Sequence, residues 1–233
     1  MTAWSRHWSR EKEAEVSSSA VQEVKSMVND LNEQVIAIVD ELYDAGLITP
    51  KGGNVSVRIP DSDELWITPT QLYKGGLSRE TLIRVNLKGK KLEGRDRPSV
   101  ELPMHLLVYR TREDVGAVIH THAPMAIVVG LYDEPVPPIT IEAIGLRRVP
   151  VVPFLLSGTK EQSQAIVDAL GDGPAVLLRN HGLLTVGRDL REAASKAQQL
   201  EFAARTVVLC RLLGGQPQVI PEKLAQFLEK VVP

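Results

Sequence analysis

The sequence predicts an α/β protein in which helices cover a mixed central sheet. Three observations carry this reading. Apolar residues recur at three- and four-residue steps early in the chain. Short alternating runs fill its middle, and a long amphipathic segment from Leu190 to Gly215 follows. The first 16 residues are charged and aperiodic and read as an extension, with residues 17–233 as a single domain.

The elements follow in order. Val24, Met27, Val28, Leu31, Val35, Ile38, Val39 and Leu42 form a helical stripe. Gly46 in "YDAGLITP" is a natural helix stop. "NVSVRIP" alternates, with Val55, Val57 and Ile59 on one strand face. "DSDE" reads as a hairpin turn before the strand "LWITP"; "LIRVNL" is a further strand and "KGKKLEG" a further turn. "ELPMHLLVYRTRED" is helical, "VGAVIHTHAP" a strand, "PMAIVVGLY" a helix and "RRVPVVPF" extended. "TKEQSQAIVDALGDG" is a helix with a glycine end. "AVLLRNHGLLTVG" is two apolar strands around a sharp break at Asn180, His181 and Gly182. Gly214 and Gly215 close the long helix.

Bulk properties narrow the function. The chain has 233 residues, enough for one good-sized core. With 27 basic and 29 acidic residues, there is no global attraction to nucleic acid. The one cysteine, Cys210, cannot form an internal disulfide, so nothing argues for secretion. No apolar run approaches the ~20 residues that span a bilayer. The expectation is a soluble, cytoplasmic protein that binds neither nucleic acid nor membrane.

"AVIHTHAP" is unusual. Core strands avoid histidine, since an unpartnered buried polar ring costs roughly 1–3 kcal/mol. Side chains alternate along a strand, so His120 and His122 point the same way and can share a metal ion. A catalytic zinc takes about three protein ligands and keeps one position open. His181, in the break between two apolar strands, is the best third ligand; His7 and His105 are weaker candidates. Two core histidines bonded to backbone carbonyls are the alternative. Ser99 and Glu101 sit at a helix start, where, taken alone, a helix cap and a charge at the positive helix end are the plainer explanations. Lys51 and Asn54 flank a Gly-Gly turn, and Thr68 and Thr70 flank a proline, so both segments can present donors to an anion.

Taken together and in this order, "GLITPKGGNVSVR", "LWITPT", "RPSVELPMHLLVYRTREDVGAVIHTHAP" and "LLRNHGLLTVG" resemble the class II aldolase/adducin family, of the L-fuculose-phosphate and L-ribulose-phosphate type. The resemblance runs from about Val21 to Gly215. It implies a three-layer α/β/α fold with a mostly antiparallel central sheet. It also implies a homotetramer with active sites between subunits. His120, His122 and His181 match the family's ligands to a divalent metal, typically zinc, and three imidazoles also suit manganese, cobalt, nickel or iron. Each ring's other nitrogen is then expected to find an acceptor. Glu101 matches the catalytic acid/base. The implied chemistry is cleavage of a C–C bond in a small hydroxy-keto substrate, through a metal-stabilised enediolate.

Asn54, Thr70 and Ser99 match the family's phosphate cradle. Three positions depart from it. Lys51 stands where a small hydroxyl residue is common, Gln71 replaces a glycine, and Val100 replaces a second serine. Losing a hydroxyl and a glycine N–H contact is expected to weaken the cradle, while Lys51 adds a point charge, so a carboxylate or a non-phosphorylated substrate fits at least as well as a phosphate. The aldolases' tyrosine, carried by the neighbouring subunit, has no counterpart in "PPITIEAIG", which offers Ile139, Ile141 and Ile144. That departure raises a second reading, a decarboxylase of a hydroxy-aromatic or keto acid on the same site. Arg147, Arg148 and Lys51 are then carboxylate partners, or else solvated surface charges. A non-catalytic adducin-like scaffold is the third reading.

Overall fold

The structure, a computed structural model, describes residues 30–132, 136–146 and 148–231. The expected extension over residues 1–16, the start of the domain at residue 17 and Arg147 lie outside these residues.

Helix α1 is described over 30–44 and stops where Gly46 takes a φ of 72°. The strands are β1 (Asn54–Arg58), β2 (Glu64–Ile67), β3 (Ile83–Asn86), β4 (Lys91–Glu93) and β5 (Ala117–Thr121), followed by β6 (Val151–Val152), β7 (Ala175–Leu178) and β8 (Gly182–Gly187). The remaining helices are α2 (Leu102–Thr111), α3 (Pro124–Leu131), α4 (Lys160–Leu170), α5 (Leu190–Leu212) and α6 (Glu222–Val231).

All eight strands form one sheet in the order β4-β3-β2-β1-β5-β8-β7-β6. Only β6 and β7 pair in parallel, so the sheet is mostly antiparallel. Strand alternation divides the core in two. On one face Val55, Val57, Ala117 and Ile119 pack with Val35, Val39 and Leu42 of α1, Ala126 and Val129 of α3, and Ala197, Leu200 and Val207 of α5. On the other face Leu65, Ile67, Val118 and Leu184 meet Met104 and Val108 of α2 and Ile166 and Leu170 of α4. The result is three layers, α/β/α. Each fully buried valine, leucine or isoleucine contributes about 1.5–3 kcal/mol.

The sequence reading differs in three places. "KGKKLEG" is not all turn. The reversal needs only Leu87–Lys90, where Asn86 Oδ1 accepts from the N–H groups of Lys88 and Lys90. Lys91–Glu93 then pairs with β3 as an exposed edge strand, whose charged residues discourage further pairing. Only Val151 and Val152 of "RRVPVVPF" form a strand, since Pro150 and Pro153 on either side lack the N–H that a ladder needs. The last helix, α6, had no assignment in the sequence reading. Among the described residues, no helix is long and apolar enough to cross a membrane.

Candidate metal centre

The centre lies at one end of β5, in the middle of the sheet. His120 is the penultimate residue of that strand and is fully buried. The chain then leaves the sheet, and the His122 N–H donates to the Leu47 carbonyl at 2.8 Å. His181 enters from the β7–β8 turn, where Asn180 adopts a φ of 58°. Two glycines make the close approaches possible. A Cβ on Gly182 would sit 2.2 Å from the Thr121 carbonyl oxygen and 3.0 Å from the His120 ring. A Cβ on Gly52 would sit 2.4 Å from His122 Nδ1.

One ring nitrogen from each of His120, His122 and His181 lies within 4.8 Å of the others. His120 Nδ1 is 3.0 Å from the Leu183 carbonyl. A carbonyl only accepts, so Nδ1 carries the proton and Nε2 presents its lone pair to the centre. The expected second acceptor is thus present for His120. Among the described residues, His122 and His181, both part-exposed, find no such acceptor. His120 Nε2 and His122 Nε2 are 3.2 Å apart. Burial lowers the pKa of all three rings, that of His122 to about 4. They are neutral near pH 7, which is the form that binds a cation.

Glu101 is the N-cap residue of α2 and is 4% exposed. Its Oε2 lies 3.3 Å from His120 Nε2 and its Oε1 3.6 Å from His181 Nε2. Oε1 is buried without a hydrogen bond. Burial alone would raise the Glu101 pKa. Its histidine neighbours and a bond from Asn54 outweigh that and bring it to about 2, so it is ionised. Three clustered neutral imidazoles beside an ionised carboxylate with one orphaned oxygen fit a divalent cation, which would neutralise the buried charge.

Behind Glu101 runs a buried chain of hydrogen bonds. Asn54 Nδ2 donates to Glu101 Oε2 at 2.8 Å, and Asn54 Oδ1 is 2.5 Å from His105 Nε2. Ser56 Oγ is 2.7 Å from His105 Nδ1 and 2.9 Å from the Tyr109 hydroxyl. An ionised carboxylate only accepts, and this fixes the direction of every link. Asn54 donates to Glu101, His105 Nε2–H donates to Asn54, Ser56 donates to His105 Nδ1, and Tyr109 donates to Ser56. Burial lowers the His105 pKa to about 3 and raises that of Tyr109, which matches a neutral ring and an intact phenol.

The four expected substrate residues, Lys51, Asn54, Thr70 and Ser99, line one cleft of about 220 Å³ with Glu101, His122 and His181. Ser99 Oγ also accepts from the Glu101 N–H at 3.2 Å. Gln71 carries a φ of 56°, the backbone conformation that a glycine adopts freely. Holding a residue other than glycine in that conformation costs about 1–3 kcal/mol. Arg148 is exposed and lies 3.5 Å from Glu222, as a surface charge does; it is not among the residues lining the cleft.

Sequence reasoning missed Ser56, Tyr109 and Lys74 and undervalued His105. A signal for the relay was present. Glu101, His105 and Tyr109 recur every four residues on one face of α2, and Ser56 shares a strand face with Asn54. Lys74 lies in an irregular Gly-rich segment that offers no periodicity.

The centre could hold a divalent cation, and the cleft beside it is of a size for a small molecule. The family profile of the class II aldolase and adducin N-terminal domain matches residues 33–208. A 5-deoxy-D-ribulose 1-phosphate aldolase of Bacillus thuringiensis serovar kurstaki is 32% identical over 199 residues, covering 85% of this chain and 93% of its own. A 3-oxo-tetronate 4-phosphate decarboxylase of Escherichia coli is 31% identical over 195 residues, covering 80% and 89%. A solved L-fuculose 1-phosphate aldolase superposes with a TM-score of 0.81 at 28% identity, covering 87% of this chain and 95% of its own. The chain belongs to the class II aldolase and adducin family, and it is a carbon–carbon lyase of the class II aldolase type.

Proposed function

We propose that the cleft cleaves a C–C bond of a small hydroxy-keto substrate by a retro-aldol reaction, with a sugar phosphate as the substrate class. The observation that carries this is Glu101, a buried carboxylate with one oxygen tied to Asn54 and the other unbonded, beside the cluster of His120, His122 and His181 and in one cleft with the last two. His120, His122 and His181 would hold a divalent cation, zinc first among them, which supplies a Lewis acid for the negative charge that develops on oxygen. Glu101 moves the proton. Oε2 is held by Asn54, and Oε1 is free to take the proton and return it. Asn54, Thr70, Ser99 and Lys51 bind and orient the substrate.

The test is a screen of the metal-loaded chain against ketose 1-phosphates and 3-oxo acids, reading aldehyde and CO2 separately. Aldehyde from a ketose phosphate is the expected result; no aldehyde from any member would overturn the aldol reading. CO2 in its place would establish the decarboxylase, which is favoured by the relative named for that activity and by the absence of tyrosine between Ile139 and Ile144.

The same reading takes the active form to be a homotetramer in the cytoplasm. Large apolar side chains stand exposed on α5 and α6, including Phe202, Leu209, Leu212 and Phe227. Val100, beside Glu101, is 60% exposed. Light scattering at micromolar protein should give about four times the chain mass, and a monomer would sink the interfacial site.

A further inference from the structure

Lys74 is the one lysine of the cleft lining that is buried, at 1% exposure. Its backbone N–H donates to the Pro50 carbonyl at 2.9 Å, and its ammonium donates to the Pro69 carbonyl at 2.7 Å. The residue thus ties together two loops that form walls of the cleft. Tying loops needs one donor and no charge. An ammonium has three donors, and here a single bond is made. No carboxylate of the described residues lies within ion-pairing distance of it. Glu101, the carboxylate in the cleft lining, bonds Asn54 through Oε2 and lies beside His120 and His181, and makes no ion pair with Lys74.

A buried charge without a counter-ion is strongly disfavoured unless something supplies one. Burial lowers the Lys74 pKa only to about 8, so the ammonium still carries its charge near neutrality. The cleft that it lines also contains Lys51, the amide of Asn54 and the hydroxyls of Thr70 and Ser99. The charge that is missing is negative, and the cleft opens to where a substrate must bind.

We propose that Lys74 is the cationic anchor for an anionic group on the substrate, a phosphate ester or a carboxylate. It does so as a point charge from the wall of the cleft, with the Pro69 carbonyl fixing its position. The substrate's identity rests on the lyase reading of the cleft; the anion site does not, because its test reads binding and not turnover.

The experiment measures the affinity of the metal-loaded full-length chain for inorganic phosphate and for acetate by calorimetry, in wild type, Lys74→Gln and Lys74→Arg. Any direct contact between anion and metal is common to the three proteins, so the difference reports on Lys74. Lys74→Gln keeps a donor for the Pro69 carbonyl and removes the charge. It should weaken anion binding tenfold or more at unchanged metal content, and Lys74→Arg should restore most of it. Loss confined to phosphate identifies a phosphate ester, and a matching loss for acetate identifies a carboxylate. Affinities within twofold of wild type in Lys74→Gln, or no binding of either anion to wild type, would overturn the proposal. Should Lys74→Gln fail to fold, Lys74→Met is measured in its place. Should both fail, the ¹⁵N resonance of the Lys74 ammonium in wild type decides: a saturable shift with either anion supports the site, and none refutes it. If Lys74 governs anion affinity while no C–C bond is cleaved, the anion site stands and the lyase reading falls.

Discussion

His105→Leu tests whether the buried chain behind Glu101 positions the carboxylate proposed to move the proton. Leucine is close to histidine in volume, so the change leaves little cavity and removes two hydrogen bonds. Asn54 Oδ1 loses its donor, and the Ser56 hydroxyl loses its acceptor. Both atoms are buried. Each orphaned group costs about 1–3 kcal/mol, so the variant should lose about 2–6 kcal/mol of stability. With Oδ1 unanchored the Asn54 amide can rotate, and Glu101 loses its fixed donor. Misplacement of a reacting group by about 1 Å costs up to about 100-fold, so kcat should fall about 10- to 100-fold with metal content unchanged. Tyr109→Phe is the control. It removes the far end of the chain and leaves the Ser56–His105–Asn54–Glu101 links intact, so it should cost about 1 kcal/mol and leave kcat within threefold. Urea unfolding, elemental analysis and turnover are measured on both. Wild-type kcat in His105→Leu, or equal loss of kcat in the two variants, would refute the positioning role.

Three further outcomes follow. Glu101→Gln should abolish turnover and leave the metal bound, as elemental analysis and a turnover assay will show; normal turnover would remove Glu101 from the proton transfer. Gln71→Gly should raise stability by about 1 kcal/mol, because glycine takes the left-handed backbone there without strain; a loss of stability in urea would contradict this. His105 has a folded pKa of about 3 against an ordinary value of 6.5. Above pH 6.5 it is neutral in both states. Below that the unfolded chain binds the proton more readily, so stability falls from pH 6.5 down to about 3, by on the order of 5 kcal/mol. Urea midpoints should drop less steeply over that window in His105→Leu, and equal slopes would exclude His105 as a source of acid sensitivity.

Much of the fold was legible because its signals are local. The alternation of Val55, Val57 and Ile59 and the four-residue stripe of α1 depend on neighbours within one element. His120 was legible for the same reason, as a histidine in an apolar strand; His122 lies just past the strand's last residue, so the alternation that paired the two does not itself set its direction. The edge strand Lys91–Glu93 was not, because its residues are exposed and have no apolar alternation. Lys74 was illegible for a different reason. Its burial comes from two loops meeting in space, and no pattern in "LYKGGL" encodes that. The relay lay between these cases: the spacing of Glu101, His105 and Tyr109 was in the sequence, but Ser56 opposite it required the sheet.

The most direct test of the metal centre is metal content per chain, by elemental analysis, in wild type and His122→Ala purified without added metal or chelator. About one equivalent of a divalent metal in wild type and little in the variant is the predicted result. No metal in wild type, with none taken up on dialysis against zinc, would mean that the three histidines hold no cation, and the lyase mechanism built on them would fail.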